Sequence, residues 1–320
     1  MARAFLQYDV FTDTPLAGNQ LAVFTDAQGL DTVIMQRLAR EMNFPESTFI
    51  LPVEWAGTDV RMRIFTPATE MPIAGHPTIG STFALADMGV IAAGTSRVVF
   101  HLNIGPTPVD LEWDGARLRS AWMTQPNPVF GPVIEGRAQV AAALGLTPED
   151  LLSTPVQQIS CGVPFLYVPL RDVATVDRAI SDASAWRRLG QSLGADLPLF
   201  LFAPDADDRA GREGAPARSG DPNATIDSQP FRRVYCRMFA PGFGIVEDPA
   251  TGIASGPLGC YLVRYGLVAP GGAEPIVIRQ GVAMGRPSRI LVSIGVEDGV
   301  INDVKVGGTA VLVARGEFLI

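Results

Sequence analysis

Short runs of alternating apolar and polar residues dominate the chain and predict a protein built mainly from β-strands. In VRMRIF (60–65) every second residue is apolar, as in a strand with one buried face. The other predicted strands share β-branched or aromatic residues and are bounded by turn residues. They are FLQYDVF (5–11), LAVF (21–24), STFIL (47–51), SRVVFHL (96–102), PVDLEW (108–113), PFLYVPL (164–170), PLFLFA (198–203), RRVYCRMF (232–239), PIVIRQG (275–281), RILVSIG (289–295) and AVLVARG (310–316).

Fewer segments predict helices, in which a capping residue or a closing glycine bounds apolar residues at helical spacing. They are a helix capped by Asp31 and ending at Met42, one from Thr78 to Met88, a short one capped by Thr147, one from Ser181 to Leu193, and one from Ile253 to Tyr265. Strands and helices do not alternate regularly, so the pattern predicts an α+β fold rather than a doubly wound parallel sheet.

One strand–turn–helix pattern occurs twice. Residues 65–89 (FTPATEMPIAGHPTIGSTFALADMG) and 239–266 (FAPGFGIVEDPATGIASGPLGCYLVRYG) both begin Phe-x-Pro and both enter a small-residue, apolar helix that ends at glycine. His76 in the first copy aligns with Asp248 in the second, each four residues before a glycine. The alternative is chance similarity of two short motifs.

The repeat predicts two pseudo-symmetric domains, each a barrel-like, mostly antiparallel sheet around a central helix. We place the N-terminal domain at 1–120, completed by 309–320, and the C-terminal domain at 121–308. Helix N-termini carry unpaired N–H groups and the positive end of the helix dipole. Two such ends facing each other would form a site for a small carboxylate.

Composition narrows the possible partners. The net charge is -8 in 320 residues, so the basic surface that nucleic-acid binding requires is missing. Three widely spaced cysteines fit neither a disulfide framework nor a zinc site. The first residues do not show a signal-peptide pattern and no apolar run is long enough to cross a membrane, so we expect a cytoplasmic protein. Residues 204–230 are polar and predict a surface loop.

Four polar residues are candidates for the predicted cleft. Glu46 lies among apolar neighbours in NFPESTFIL, where burial would raise the pKa of its carboxyl and suit it to proton transfer. The alternative is a solvated glutamate at a strand end. His76 and Asp248 start the two repeated helices, where a buried structural histidine and an N-cap aspartate are the alternatives. Asn19 follows Gly18 between two strands and could be a turn residue.

Other polar residues favour structural roles. Thr251 and Ser255 could hydrogen-bond a ligand, but small residues there also serve helix packing. Cys260 lies among apolar helix residues and is interpreted as core, and His101 lies within a strand. The chain contains none of the sequences GxxxxGK[ST], GxGxxG, HExxH or GxSxG. Their absence argues against an enzyme that depends on a bound nucleotide, a metal ion or a nucleophilic serine.

Taken together, several segments resemble the phenazine-biosynthesis-like (PhzF-like) isomerase family. They are DVFTDTPLAGNQLAVF (9–24), ESTFIL (46–51), the stretch FTP to GHPTIG (65–80), RMFAPGFGIVEDPATG (237–252), QGVAMGRPSRI (280–290) and VGGTAVLVARGEF (306–318). The resemblance implies the diaminopimelate-epimerase-like fold and a homodimeric isomerase without a cofactor or metal. It implies that Glu46 is the acid/base and that Asn19, His76 and Asp248 bind substrate, with backbone N–H groups near Gly75 and Gly252 holding its carboxylate.

Two positions depart from that family pattern. Ala74 stands where the family often has cysteine, and Ile253 replaces a serine that follows Thr-Gly. An alkyl side chain cannot donate a hydrogen bond, so we expect a smaller or more apolar substrate than that of the phenazine pathway. The sequence thus predicts an isomerase that moves a proton on a small carboxylate; the alternatives are an epimerase or tautomerase of another small acid, or a non-catalytic small-ligand binder.

Overall fold

The computed structural model describes residues 2–180, 182–193, 197–205, 231–243, 245–271 and 274–320. Its first nine strands and two helices form an N-terminal half. They are β1 (Ala2–Val10), β2 (Asn19–Phe24), α1 (Thr32–Met42), β3 (Glu46–Leu51), β4 (Val60–Phe65), β5 (Glu70–Met71), α2 (Gly75–Asp87), β6 (Arg97–Leu102), β7 (Gly105–Asp114), β8 (Arg117–Gln125) and β9 (Val129–Val133).

The remaining elements form a C-terminal half with the same order of strands. They are α3 (Arg137–Ala143), a 3-10 turn (Pro148–Asp150), β10 (Gln157–Ser160), β11 (Pro164–Pro169), α4 (Val173–Arg178), α5 (Ala183–Leu193), β12 (Leu199–Pro204), β13 (Arg233–Ala240), a 3-10 turn (Pro241–Phe243), β14 (Ile245–Asp248), α6 (Gly252–Arg264), β15 (Ile276–Gln280), β16 (Ser288–Glu297), β17 (Val300–Gly308) and β18 (Ala310–Leu319).

The two halves repeat one strand topology. In each, the second and third strands and the fourth and sixth strands pair in parallel, and the other described pairings are antiparallel. The last strand of each half crosses to the other half: β9 pairs with β10, and β18 pairs with β1. The eighth strands, β8 and β17, also pair with each other and join the halves into one continuous sheet. The α+β class and the internal repeat predicted from sequence are confirmed.

A central helix fills each half. Residues 75–85 of α2 and 252–262 of α6 are buried around their whole circumference. This agrees with their apolar, small-residue sequences, which lack the polar stripe of a surface helix. Both helices belong to one continuous core, while α1 and the group α3–α5 cover two smaller cores on the outside of the sheet.

Some predicted elements differ in the structure. The predicted helix after Thr147 is a single 3-10 turn, because Asp150 closes a capping box with Thr147 and the chain then becomes extended. The sequence analysis did not predict the helices α3 and α4 or the strands β5, β8, β9, β10, β14 and β17. Most of these are too short for a clear periodicity, but β8 and β17 have nine residues each. In β8 the buried positions include the polar Ser120 and Gln125, and β17 (VINDVKVGG) contains Asn, Asp and Gly, which are depleted in strands. Both central helices begin earlier than predicted, α2 by three residues because Pro77 fits a first helical turn.

The predicted domain limits remain a prediction. β18 pairs with β1, as completion of the N-terminal domain by 309–320 requires. The limit between residues 120 and 121, however, falls inside β8. The predicted loop at 204–230 lies outside the described residues, apart from Pro204 at the end of β12 and Asp205 after it.

Candidate active site

The N-termini of α2 and α6 meet in direct backbone contact between the two halves. A Cβ placed on Gly75 would lie 2.8 Å from the Cα and carbonyl carbon of Gly252 and 2.9 Å from the nitrogen of Ile253. The first N–H groups of each helix have no acceptor within the helix, and both helix dipoles point their positive ends at this junction. The junction is therefore suited to bind an anion such as a carboxylate.

Glu46 and His76 lie together beside this junction. Glu46 is the first residue of β3 and His76 is in the first turn of α2; Glu46 Oε2 lies 3.3 Å from His76 Nδ1, with side chains 12% and 5% exposed. Burial, and next the charge of Asp248, raise the pKa of the Glu46 carboxyl well above its usual range. Burial lowers the pKa of His76 to about 3, so its imidazole is neutral at neutral pH.

Asp248 ends β14 and accepts hydrogen bonds on both carboxylate oxygens. Asn19 Nδ2 donates to Oδ1 over 3.0 Å, and the hydroxyl of Thr251 donates to Oδ2 over 2.6 Å. Burial raises the pKa of Asp248 to about 6, and these two hydrogen bonds oppose that rise. The N-cap alternative for Asp248 is wrong, because Thr251 occupies the N-cap position of α6.

The structure brings all six predicted site residues to one place. Asn19 begins β2 in the N-terminal half, yet it also donates to the carbonyl of Ala250 over 2.9 Å and so joins the two halves. This placement depends on Gly18, whose φ of 66° and close approach to Val10 and Thr12 leave no room for a side chain. The roles of the six residues remain predictions.

Three residues that the sequence analysis did not single out support the site. Gln125 donates to the carbonyl of Gly252 over 3.1 Å, and Gln280 hydrogen-bonds the turn that carries Asp248. Arg286 donates to the carbonyl of Gly18 over 2.8 Å and pairs with the buried Asp9 over 2.6 Å. The only sequence signal for Gln280 and Arg286 is their position in the glycine-containing stretch QGVAMGRPSRI.

Several buried polar atoms at the site lack a hydrogen-bond partner among the described residues: Asn19 Oδ1, His76 Nε2 and Gln125 Oε1. Both amide hydrogens of Asn19 are directed at acceptors, so its Oδ1 is left as an acceptor without a donor in the described part of the chain. A buried polar atom without a partner is costly, so a ligand with a donor at this point would be stabilised.

The remaining candidates have structural roles. The Ser255 hydroxyl donates to the carbonyl of Thr251 over 2.9 Å within α6, and Cys260 is fully buried in the core. His101 stacks on Trp55 with ring centroids 3.9 Å apart, on a strand remote in sequence from the candidates. Within the described residues, no group of acidic, histidine or cysteine side chains could hold a metal ion. Nor is any described helix long and apolar enough to cross a membrane.

Comparisons with known proteins match nearly the whole chain. A model of the family described as phenazine biosynthesis-like protein matches residues 8–316. The chain is 35% identical to an uncharacterized isomerase of Mesorhizobium japonicum, covering 99% of both. It is 33% identical to the trans-2,3-dihydro-3-hydroxyanthranilate isomerase of Pseudomonas fluorescens, covering 98% of both.

Solved structures show the same fold. A phenazine biosynthesis protein of the PhzF family from Bacillus anthracis matches with a TM-score of 0.82 at 26% identity, over 100% of both chains. A probable proline racemase from Agrobacterium radiobacter matches with a TM-score of 0.64 at 13% identity, over 99% of this chain and 93% of that one. At that identity the likeness concerns the fold alone, which is the two-helix, pseudo-symmetric fold predicted from the repeat.

Proposed function

Since this chain belongs to the phenazine biosynthesis-like (PhzF) family and is an isomerase, we propose that Glu46 transfers a proton between two carbons of a small carboxylate substrate. One observation carries the proposal. Glu46 is a buried carboxyl with a raised pKa, beside the place where two helix N-termini meet. A carboxyl whose pKa lies nearer neutrality can both accept and release a proton.

In the proposed reaction the Glu46 carboxylate removes a proton from a carbon beside an electron-withdrawing group and returns it to another carbon. The proton count is balanced within one cycle, so the reaction needs neither a redox cofactor nor a second acid. Backbone N–H groups at the starts of α2 and α6 stabilise the negative charge that develops on the substrate. The neutral imidazole of His76, 3.3 Å from Glu46, orients the carboxyl without adding a charge.

The proposed substrate carries a carboxylate and a hydrogen-bond donor. The carboxylate would lie at the helix junction, and an amino or hydroxyl group of the substrate would donate to Asn19 Oδ1. Ile253 in the first turn of α6 cannot hydrogen-bond through its side chain, so the substrate surface next to it is apolar. By its name, the Pseudomonas fluorescens relative acts on trans-2,3-dihydro-3-hydroxyanthranilate, which is therefore the first compound to assay. We further propose a cytoplasmic homodimer, as the family resemblance implies.

Replacing Glu46 tests the proposal. Wild type and Glu46→Gln are incubated in deuterium oxide with that compound and with other small unsaturated or amino carboxylates, and the products are analysed by NMR and mass spectrometry. Loss of a general acid/base costs about 10²–10⁴-fold in rate, which is the expected effect on kcat. The matched control is Glu41→Gln on the exposed face of α1, which should keep wild-type activity.

The pH dependence of kcat/KM shows whether Glu46 first removes a proton from the substrate or first donates one to it. The ionised fraction of Glu46 in the free enzyme increases with pH, and burial shifts this increase to a higher pH than for an ordinary glutamate. If the carboxylate acts first, kcat/KM rises as pH increases through this ionisation; a fall would mean that protonated Glu46 acts first. A Glu46→Gln enzyme that turns over at the wild-type rate would refute the proposal.

A further inference from the structure

A hydrogen-bonded chain of side chains links the end of β15 to the carboxylate of Asp248. Gln280, the last residue of β15, is fully buried. Its Nε2 donates to the backbone oxygen of Asp248 over 2.8 Å and to the hydroxyl oxygen of Thr251 over 2.9 Å. Its Oε1 accepts from the backbone N–H of Thr251 over 3.0 Å. All three bonds are directed at the four-residue turn between β14 and α6.

These contacts fix the direction of the Thr251 hydroxyl. The carboxamide of Gln280 must point its nitrogen at the Asp248 carbonyl and its oxygen at the Thr251 N–H, so it cannot be reversed. Its nitrogen therefore donates to Thr251 Oγ1, whose own hydrogen is left for Asp248 Oδ2, 2.6 Å away.

The turn is held from the same side by two further contacts. Ser288, at the start of β16, donates its hydroxyl to the carbonyl of Pro249 over 2.9 Å. Gly281 follows Gln280 with a φ of 76°, and a Cβ there would overlap the backbone oxygens of Pro249 and Arg286. The β15–β16 connection is thus packed directly against the backbone between Asp248 and Thr251.

We infer that Gln280 is a positioning residue, which acts through the hydroxyl of Thr251 to keep Asp248 ionised and in place beside Glu46. The ionised Asp248 in turn raises the pKa of Glu46, so the link reaches the proposed proton carrier. The inference rests on the proposed function only for its effect on catalysis. The effect on the charge of Asp248 does not depend on the proposed function.

Other groups also act on the charge of Asp248. Glu46 faces it from β3, and Glu247 precedes it in β14, where Arg237 pairs with Glu247 over 2.8 Å. Asn19 donates to it from β2. These contacts are the same in wild type and in a Gln280 variant, so a change in the titration of Asp248 between them reports on the Gln280–Thr251 link.

The test is an NMR titration that needs no substrate. Protein labelled with ¹³C at the aspartate carboxyls is titrated in wild type and in the uncharged variants Gln280→Met and Gln280→Leu, with the Asp248 signal assigned by its loss in Asp248→Asn. The Thr251 hydroxyl donates to the ionised form of Asp248, so removing its support should move the Asp248 midpoint upward by about one pH unit. The matched control is Gln157→Met. Gln157 is also buried, but it bonds Gly131 and Tyr265 away from the site, so the midpoint should not move.

A double-mutant cycle separates positioning from general loss of structure. Thr251→Val removes the hydroxyl and should raise the Asp248 midpoint by itself, while Gln280→Met should add little in that background because both act through one hydroxyl. Unchanged midpoints in both Gln280 variants, an equal shift in Gln157→Met, or additive shifts in the cycle would overturn the inference. If the Gln280 variants do not fold, an unchanged midpoint in Thr251→Val overturns it and a raised one supports it. Refutation of the proposed function is a separate result: it would appear as undiminished turnover in Glu46→Gln.

Discussion

Replacing Gly75 by alanine perturbs the contact that forms the proposed site. The new Cβ would lie 2.8 Å from backbone carbons of Gly252, whereas non-bonded carbons normally approach to about 3.5–4.0 Å. The two helix N-termini would therefore separate by roughly 0.7 Å or more, since neither neighbouring atom belongs to a side chain that can rotate away. Such overpacking costs about 1–3 kcal/mol of stability. A displacement approaching 1 Å at reacting groups costs on the order of 10²-fold in rate.

Gly80→Ala, in the same helix, is the matched control. Its Cβ would meet Leu21 Cδ2 at 2.6 Å and Val10 Cγ2 at 2.7 Å, which are ends of side chains on the sheet rather than the opposing helix. Thermal unfolding should show that both variants are destabilised, Gly80→Ala by no more than Gly75→Ala. Only Gly75→Ala should lower kcat/KM by about 10²-fold. Wild-type turnover in Gly75→Ala, or an equal loss in Gly80→Ala, would refute the argument that backbone contact between the helices positions the site.

Two further predictions concern buried charges. Folding raises the pKa of Asp248 from 3.8 to about 6, so between these pH values the folded protein holds a proton that the unfolded chain releases. The free energy of unfolding therefore decreases as pH rises through this range. Measured by urea unfolding, wild type should lose about 3 kcal/mol between pH 3.5 and 7 relative to Asp248→Asn. An equal pH dependence in both proteins would contradict this. Arg286→Met leaves the buried Asp9 without its cation and should cost about 3–5 kcal/mol, while Arg232→Met, which breaks an exposed pair with Glu274, should cost less than about 1 kcal/mol. Similar melting temperatures for these two variants would contradict the role of Arg286 as a clamp.

The sequence predicted the architecture because the repeat is encoded in residues with strong local preferences. The Phe-x-Pro step, the glycine that ends each helix and the apolar helix faces are visible in both copies. They correctly located both central helices and their opposed N-termini. Elements of a few residues, such as β5 and β14, escaped prediction because two to four positions cannot establish a periodicity.

The candidate site was only partly predictable. The burial of Glu46 could be anticipated from its apolar neighbours, whereas Asp248 was singled out only by its place in the repeat. Burial raises the pKa of both carboxyls. The contribution of Gln280 was not predictable, because a glutamine at the end of a strand has no periodic or charge signature. It depends on a contact between segments 29 residues apart in sequence, Thr251 and Gln280. Likewise, Asp248 was assigned the N-cap alternative because only the structure shows that Thr251 occupies that position.

The central claim, that one carboxyl carries the proton from carbon to carbon, is tested most directly by following the proton itself. A substrate labelled with deuterium at the carbon that loses the proton is converted in ordinary water under single-turnover conditions, and the product is examined by mass spectrometry and NMR. Because the Glu46 side chain is only 12% exposed and lies against His76, we expect its proton to exchange with solvent more slowly than it is transferred. The account predicts deuterium at the receiving carbon in a measurable fraction of the product. A product free of deuterium would contradict it, since the receiving carbon would then be protonated by water or by a second acid.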